Sequence, residues 1–118
     1  MDFTHIFKEA DAIRQIEILA PAGGRQQLEA AVRAGADAVY LGFGRFNARR
    51  NAENFDADAL AQAIAYCHGR GVKVHAAFNT LVTEEELPEA EKELAVLAAS
   101  GIDALIVQDL GIAKMARE

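Results

Sequence analysis

The sequence predicts an α/β fold: a parallel (βα)4 half of a TIM-like barrel, with an extra N-terminal helix. Three observations predict it. Segments 31–42 (AVRAGADAVYLG), 65–80 (AYCHGRGVKVHAAFNT) and 96–111 (VLAASGIDALIVQDLG) each end a helix and open a strand around a glycine. Those glycines, Gly35, Gly71 and Gly101, lie 36 and 30 residues apart, the period of one βα unit feeding a parallel sheet. The strands that follow are continuous apolar runs rather than alternations, as expected where both faces of a sheet are covered.

Residues 1–15 are expected as a helical extension, with Phe3, Phe7, Ala10 and Ile13 roughly on one stripe. Residues 16–118 are expected as the (βα)4 domain. Its first strand is predicted at Ile16–Ala20, ended by Pro21-Ala22-Gly23, and its first helix at Arg25–Ala34, burying Leu28, Ala31 and Val32. The second strand is predicted at Ala38–Leu41, followed by a long loop to Phe55. The second helix, Ala57–Gly69, has Asp56 as its N-cap and Leu60, Ile64 and Cys67 inward. The third strand is predicted at Val72–Phe78. Thr83 and Glu86 have the spacing of a capping box. Pro88 is excluded from a helix interior, so a short first turn and a restart near it are expected. The fourth strand is predicted at Ala104–Gln108, and residues 111–118 open a fourth helix.

The repeat carries a finer pattern, G-x-D-A, at Gly35-Ala36-Asp37-Ala38 and again at Gly101-Ile102-Asp103-Ala104. A glycine just past a helix takes the left-handed conformation that caps it.

Composition narrows the function. The chain has 118 residues, enough for one core but for only half the length of a full barrel. A net charge of −6 argues against general affinity for a phosphate backbone. The dense basic cluster is Arg45, Arg49 and Arg50. A lone cysteine, Cys67, excludes an internal disulfide and cannot hold an iron–sulfur cluster or a thiolate zinc site. No signal peptide or membrane-length apolar run is read, so a cytoplasmic location is expected. Ser100 ends a helix on the wrong face for catalysis. His5, His68 and His75 lack ligand spacing, and His75 is expected as a core or bottom-layer residue within the third strand. The Gly42–Gly44 stretch lacks the third glycine of a dinucleotide fingerprint.

Ligands of parallel α/β folds collect beyond the carboxyl ends of the strands. Tyr40 and Gly42 fall there, then the loop residues Asn47, Arg49 and Arg50, then Asn79 and Thr80, then Gln108 and Asp109. This amide-rich, arginine-bearing rim suits a small anionic or peptide-like ligand. Asn79 and Asp109 also suit turn capping, and Arg49 and Arg50 also suit a solvated loop. A small sugar-phosphate-binding protein is a further class that fits the rim.

The strings EILAPAG (17–23), GADAVYLG (35–42), FNAR (46–49) with NAENF (51–55), GVKV (71–74) with NTL (79–81), and DALIVQDLG (103–111) resemble the N-terminal signature blocks of the collagenase-like peptidases, peptidase family U-thirty-two. The blocks run in order from Glu17 nearly to the C-terminus. The resemblance implies a barrel-like N-terminal domain of a mostly bacterial and archaeal peptidase family. Tyr40, Asn47, Arg49, Asn79 and Gln108 are the implied substrate-binding positions and Asp109 the candidate catalytic one, coinciding with the rim above. Other members are linked to hydroxylation of RNA bases or quinones through a four-cysteine iron–sulfur cluster. The family's cysteine-bearing signature lies downstream of these blocks, so no cofactor is expected within this chain, and the chain is expected to be inactive alone. The alternative is a non-catalytic half-barrel that binds or assembles. Exposed sheet edges lead to an expected homo-oligomer, with no membrane partner and no nucleic acid bound by this chain alone.

Overall fold

In a computed structural model, residues 16–44 and 55–117 are described. The expected N-terminal helix lies outside them. The elements are β1 (Leu19–Pro21), α1 (Arg25–Arg33), β2 (Ala38–Gly42), α2 (Ala57–His68), β3 (Lys73–Phe78), a 3-10 turn (Glu84–Glu86), α3 (Leu87–Ser100), β4 (Ala104–Val107) and α4 (Leu110–Arg117). The four strands are parallel and lie in the order β1-β2-β3-β4. Sequence pattern alone left a barrel half and a doubly wound sheet unresolved. The sequential order decides between them: the winding never reverses, so α1 packs on α2 and α2 on α3 in one layer. The fold is a parallel (βα)4 unit of the kind that makes half of a TIM-like barrel.

The glycine pivots behave as the repeat predicts. Gly35, Gly71 and Gly101 all adopt positive φ, at 96°, 73° and 89°, the region that an L side chain enters only with strain. The G-x-D-A pattern proves to be a latch between adjacent strands. Asp37 Oδ2 accepts the Ile18 N–H at 2.8 Å, and Asp103 Oδ2 accepts the Val74 N–H at 2.8 Å. Each carboxylate therefore ties the start of its own strand to the strand before it. At the second pivot Lys73 stands where the aspartate would be, and its ammonium lies 3.7 Å from Glu17 instead.

Helix starts follow the sequence signals. Asp56 Oδ1 accepts the Ala59 N–H at 2.8 Å at the start of α2. At the 3-10 turn, Glu86 Oε1 receives the Thr83 N–H and hydroxyl at 3.1 and 3.0 Å. Pro88 sits in the first turn of α3, where its missing N–H costs no intrahelical bond.

The largest boundary difference from expectation has a physical reason, the others being single-residue shifts. β1 was expected over Ile16–Ala20 but runs over Leu19–Pro21. The Asp37 carboxylate takes the Ile18 N–H, and ladder pairing with β2 begins only at Leu19↔Ala38. Pro21 is tolerated because it closes a strand at the sheet edge.

The core is a single layer between sheet and helices. Val39, Leu41, Val74, Ala76 and Phe78 meet Leu28, Leu60, Ala63, Cys67, Leu94 and Leu97 there. Cys67 is fully buried, as the stripe on α2 predicted. Burial raises its thiol above the ordinary range, against the lowering effect of Arg25 and Arg70. Burial also divides the two faces of the sheet. Ala38 and Ala77 are buried but stand outside the core cluster, which fits strand alternation: they belong to the face turned away from the helices.

Candidate functional site

The register of the parallel pairs lays residues in rows across the face opposite the helices. Pro21, Tyr40, His75 and Ala104 form one row. Gly42, Ala77 and Ile106 form the next toward the carboxyl ends. Two positions beyond these, on the same alternation, come Asn79 and Gln108. Two of the sequence-predicted contacts, Asn79 and Gln108, are thus brought to one face and one end of the sheet, while Tyr40 shares that face but lies level with His75, four residues earlier in register. Tyr40 and Asn79 are half-buried and Gln108 is exposed. Asn47 and Arg49 lie outside the described residues. The ends of their segment meet at the tip of β2, where Phe43 bridges Phe55 and the Phe55 N–H donates to Gly42 O at 3.0 Å. Gly44 opens that segment at φ +63°, with the Glu93 carboxylate of α3 occupying the space a Cβ would need.

Asp109 sits at the start of α4, on the alternate position from Gln108. Its Oδ1 accepts the N–H groups of Gly111 at 2.8 Å and Ile112 at 3.3 Å. Its Oδ2 accepts the Val82 N–H at 3.1 Å, from the loop after β3. One carboxylate thereby caps α4 and ties the tips of β3 and β4 together. The Val82 and Ile112 amides hold its pKa below the ordinary carboxylate range, with Gly111 adding to the effect against slight desolvation. Leu81 and Leu110 flank this joint and are both strongly exposed.

A second polar cluster lies at the opposite end of the sheet. His68 Nε2 is 2.7 Å from Asp103 Oδ2, the oxygen that also receives the Val74 amide. Desolvation pushes the Asp103 carboxyl up, but the Val74 amide and His68, helped by the charge of His75, outweigh it and the net shift is downward. This cluster belongs to the strand latch, away from the rim.

His75 was expected as a core or bottom-layer residue within the third strand; it is half-buried and stands beside Tyr40 in register. Val74 and Ala76 are core residues, so alternation sends His75 to the face away from the helices. Among the described residues no group of three or more His, Cys, Asp or Glu is placed to hold a metal. A four-thiolate cluster does not fit this chain's donors, since its one cysteine is buried in α2. No helix among the described residues is long and apolar enough to cross a membrane.

A singly wound parallel sheet of four βα units is the architecture of part of a (βα)-barrel. The model of peptidase family U32 matches residues 23–118, and the chain belongs to that family. It is 40% identical over 103 residues to an uncharacterized protease of Methanocaldococcus jannaschii, covering 87% of this chain and 25% of that protein. It is 39% identical over 101 residues to a 23S rRNA 5-hydroxycytidine synthase of Escherichia coli K12, covering 86% of this chain and 15% of that protein. It is 33% identical over 107 residues to a collagenase of Porphyromonas gingivalis, covering 90% of this chain and 26% of that protein. The chain therefore spans about a quarter or less of these relatives' length.

Proposed function

We propose that this chain forms the substrate-binding rim of a family U32 peptidase, taking a small anionic or peptide-like ligand. The observation that carries the reading is the common face shared by Tyr40, Asn79 and Gln108, with the two amides together at its carboxyl end. Side-chain amides fix peptide carbonyls and N–H groups, and Asn47 and Arg49, which follow β2 in the sequence, would add an amide and a two-pronged cation for a carboxylate. Asp109 is the candidate catalytic carboxylate in this reading, and the chain alone is inactive. Titration with a blocked peptide tests the rim. Asn79→Ala and Gln108→Ala should each weaken binding about fivefold, the effect of one hydrogen bond. Unchanged affinity in both variants refutes the rim. Turnover of gelatin by the 118-residue chain, abolished by Asp109→Asn, would refute inactivity.

A second reading has its own support. The Escherichia coli relative hydroxylates a cytidine by its name, and a Bacillus subtilis relative, 33% identical over 93 residues, is named a tRNA hydroxylation protein. Amide side chains read the edges of unstacked bases as well as peptide groups. In this reading the rim accepts an RNA base and the phosphate contacts come from elsewhere, since this chain is acidic. Saturable binding of cytidine in place of the blocked peptide, sensitive to the same two substitutions, separates it from the first.

Self-association is part of the same proposal. β1 and β4 are the edge strands among the described residues, and Ile16, Ile18 and Leu19 are exposed in and beside β1. A groove of about 360 Å³ beside β4 is lined by Leu94, Leu97, Ala98, Ile102, Leu105 and Met115. A second copy pairing β4 with β1 at both edges closes eight strands, the number of a complete barrel. Sedimentation at micromolar concentration should show a dimer, and a compact monomer refutes this pairing.

A further inference from the structure

We infer that residues 1–15 of a second copy fill the apolar groove between α3 and α4, as a helix whose stripe of Phe3, Phe7, Ala10 and Ile13 turns into it. The inference rests on the pairing of β4 with β1 proposed above and names the segment that covers the groove beside that joint.

The groove lies at a definite end of the sheet. Leu94, Leu97 and Ala98 line it from the second half of α3, Ile102 and Leu105 on the way into β4, and Met115 from the second half of α4. Each helix of a parallel unit runs back against its strand, so these second halves stand at the amino ends of the strands. The amino end of β1 is at that same end, with Ile18 and Leu19 exposed. Ala22 belongs to the core, so alternation along β1 turns Ala20 and Ile18 to the helix side. When β1 of a second copy lies beside β4, its Ile18 extends the apolar lining of the groove. Residues 1–15 of that copy then arrive alongside.

Reach decides whose segment enters. Within one chain β1 and β4 are three strand spacings apart, about 14 Å at about 4.8 Å each, and α1, α2 and α3 are packed over that distance. A helix of residues 1–15 is about 22 Å long, so it would spend most of its length on the crossing. In the paired arrangement β1 of the second copy is one spacing from β4, about 4.8 Å, and the whole stripe is available. Phe3 to Ile13 spans about 15 Å of helix, and Glu91 to Ala98 along the groove wall spans about 10 Å. Lys8 adjoins the stripe and Glu91 lines the groove, so opposite charges meet at its lip.

The test uses the full chain. The sequence has no Trp, so Phe7→Trp places a single indole in the segment. Its emission should shift to shorter wavelength as the protein is concentrated through the dimer range. The same shift should appear when a trace of Phe7→Trp is mixed with excess wild-type chain. Excess Ala98→Arg chain, which puts a guanidinium in the groove and leaves both edge strands unchanged, should leave the emission at the solvent-exposed wavelength. Ala98 is exposed, so that variant should melt close to wild type. Should it not fold, sedimentation of Phe7→Asp decides, with dimer dissociation expected to rise at least about a hundredfold. A short-wavelength emission that is independent of concentration means that the segment covers its own chain, and it overturns the inference. So does a shift that survives in Ala98→Arg. A dimer by sedimentation with no shift, or one that Phe7→Asp leaves intact, overturns the inference and leaves the strand pairing standing. A compact monomer with no shift overturns both.

Discussion

Removing the Asp103 carboxylate tests the strand latch most directly. Asp103→Ala deletes a charge-assisted hydrogen bond from the Val74 amide at 2.8 Å and the contact to His68 at 2.7 Å. A hydrogen bond to a charged group contributes about 1.5–3 kcal/mol, but this pair is partly open to water and sits at the lower end. The expected loss is about 2 kcal/mol. For a domain of this size that lowers the melting temperature by roughly 8 °C. Asp37→Ala removes one comparable bond, to Ile18, and should cost about 1 kcal/mol. Lys73→Ala at the equivalent position of the second unit should change little, because its partner Glu17 is exposed. Thermal melts followed by circular dichroism measure all three. The pH dependence gives an independent check of sign. The folded-state carboxyl of Asp103 lies below its ordinary value. Its stabilisation is therefore complete above pH about 4 and is lost as pH falls through the lower folded value. The gap between wild type and Asp103→Ala should be widest near neutrality and narrow below pH about 4. Melting temperatures within about 1 °C of each other at pH 7, or a gap that widens on acidification, refute the latch.

Gly44→Ala should destabilise the fold by more than 1 kcal/mol, since it combines positive-φ strain with a clash against the Glu93 carboxylate. Gly35→Ala, with open space around it, should show the strain alone, and equal losses in urea melts would refute the close packing at Gly44. Glu86→Ala removes the acceptor for the Thr83 N–H and hydroxyl and should cost about 1 kcal/mol by the same assay. The Cys67 thiol should react with a disulfide reagent at pH 8 only at the rate of unfolding, because it is buried and its pKa is raised. Rapid modification of folded protein contradicts that burial.

Much of the candidate rim was legible because it follows from counting. Once the glycine pivots set the period, the residues just past each strand are fixed, and Asn79, Gln108 and Asp109 fall there without coordinates, while Tyr40 lies within β2. The role of Asp109 as a joint between two strand tips was less legible. Its partner Val82 lies 27 residues away, and no local pattern announces a hydrogen bond across that separation. Which face His75 takes was not legible for a related reason. An unbroken apolar run hides which parity faces the helices, and only the partner side chains reveal it.

The sequence by itself determined the βα repeat, the family, the helix caps at Asp56 and Thr83 and the burial of Cys67, because each depends on local spacing and residue type. Only the tertiary structure decided the strand order, which residues of the sheet face the helices, and the latching of Asp37 and Asp103 to neighbouring strands. These depend on which segments lie side by side, and packing sets that over separations the one-dimensional pattern does not encode.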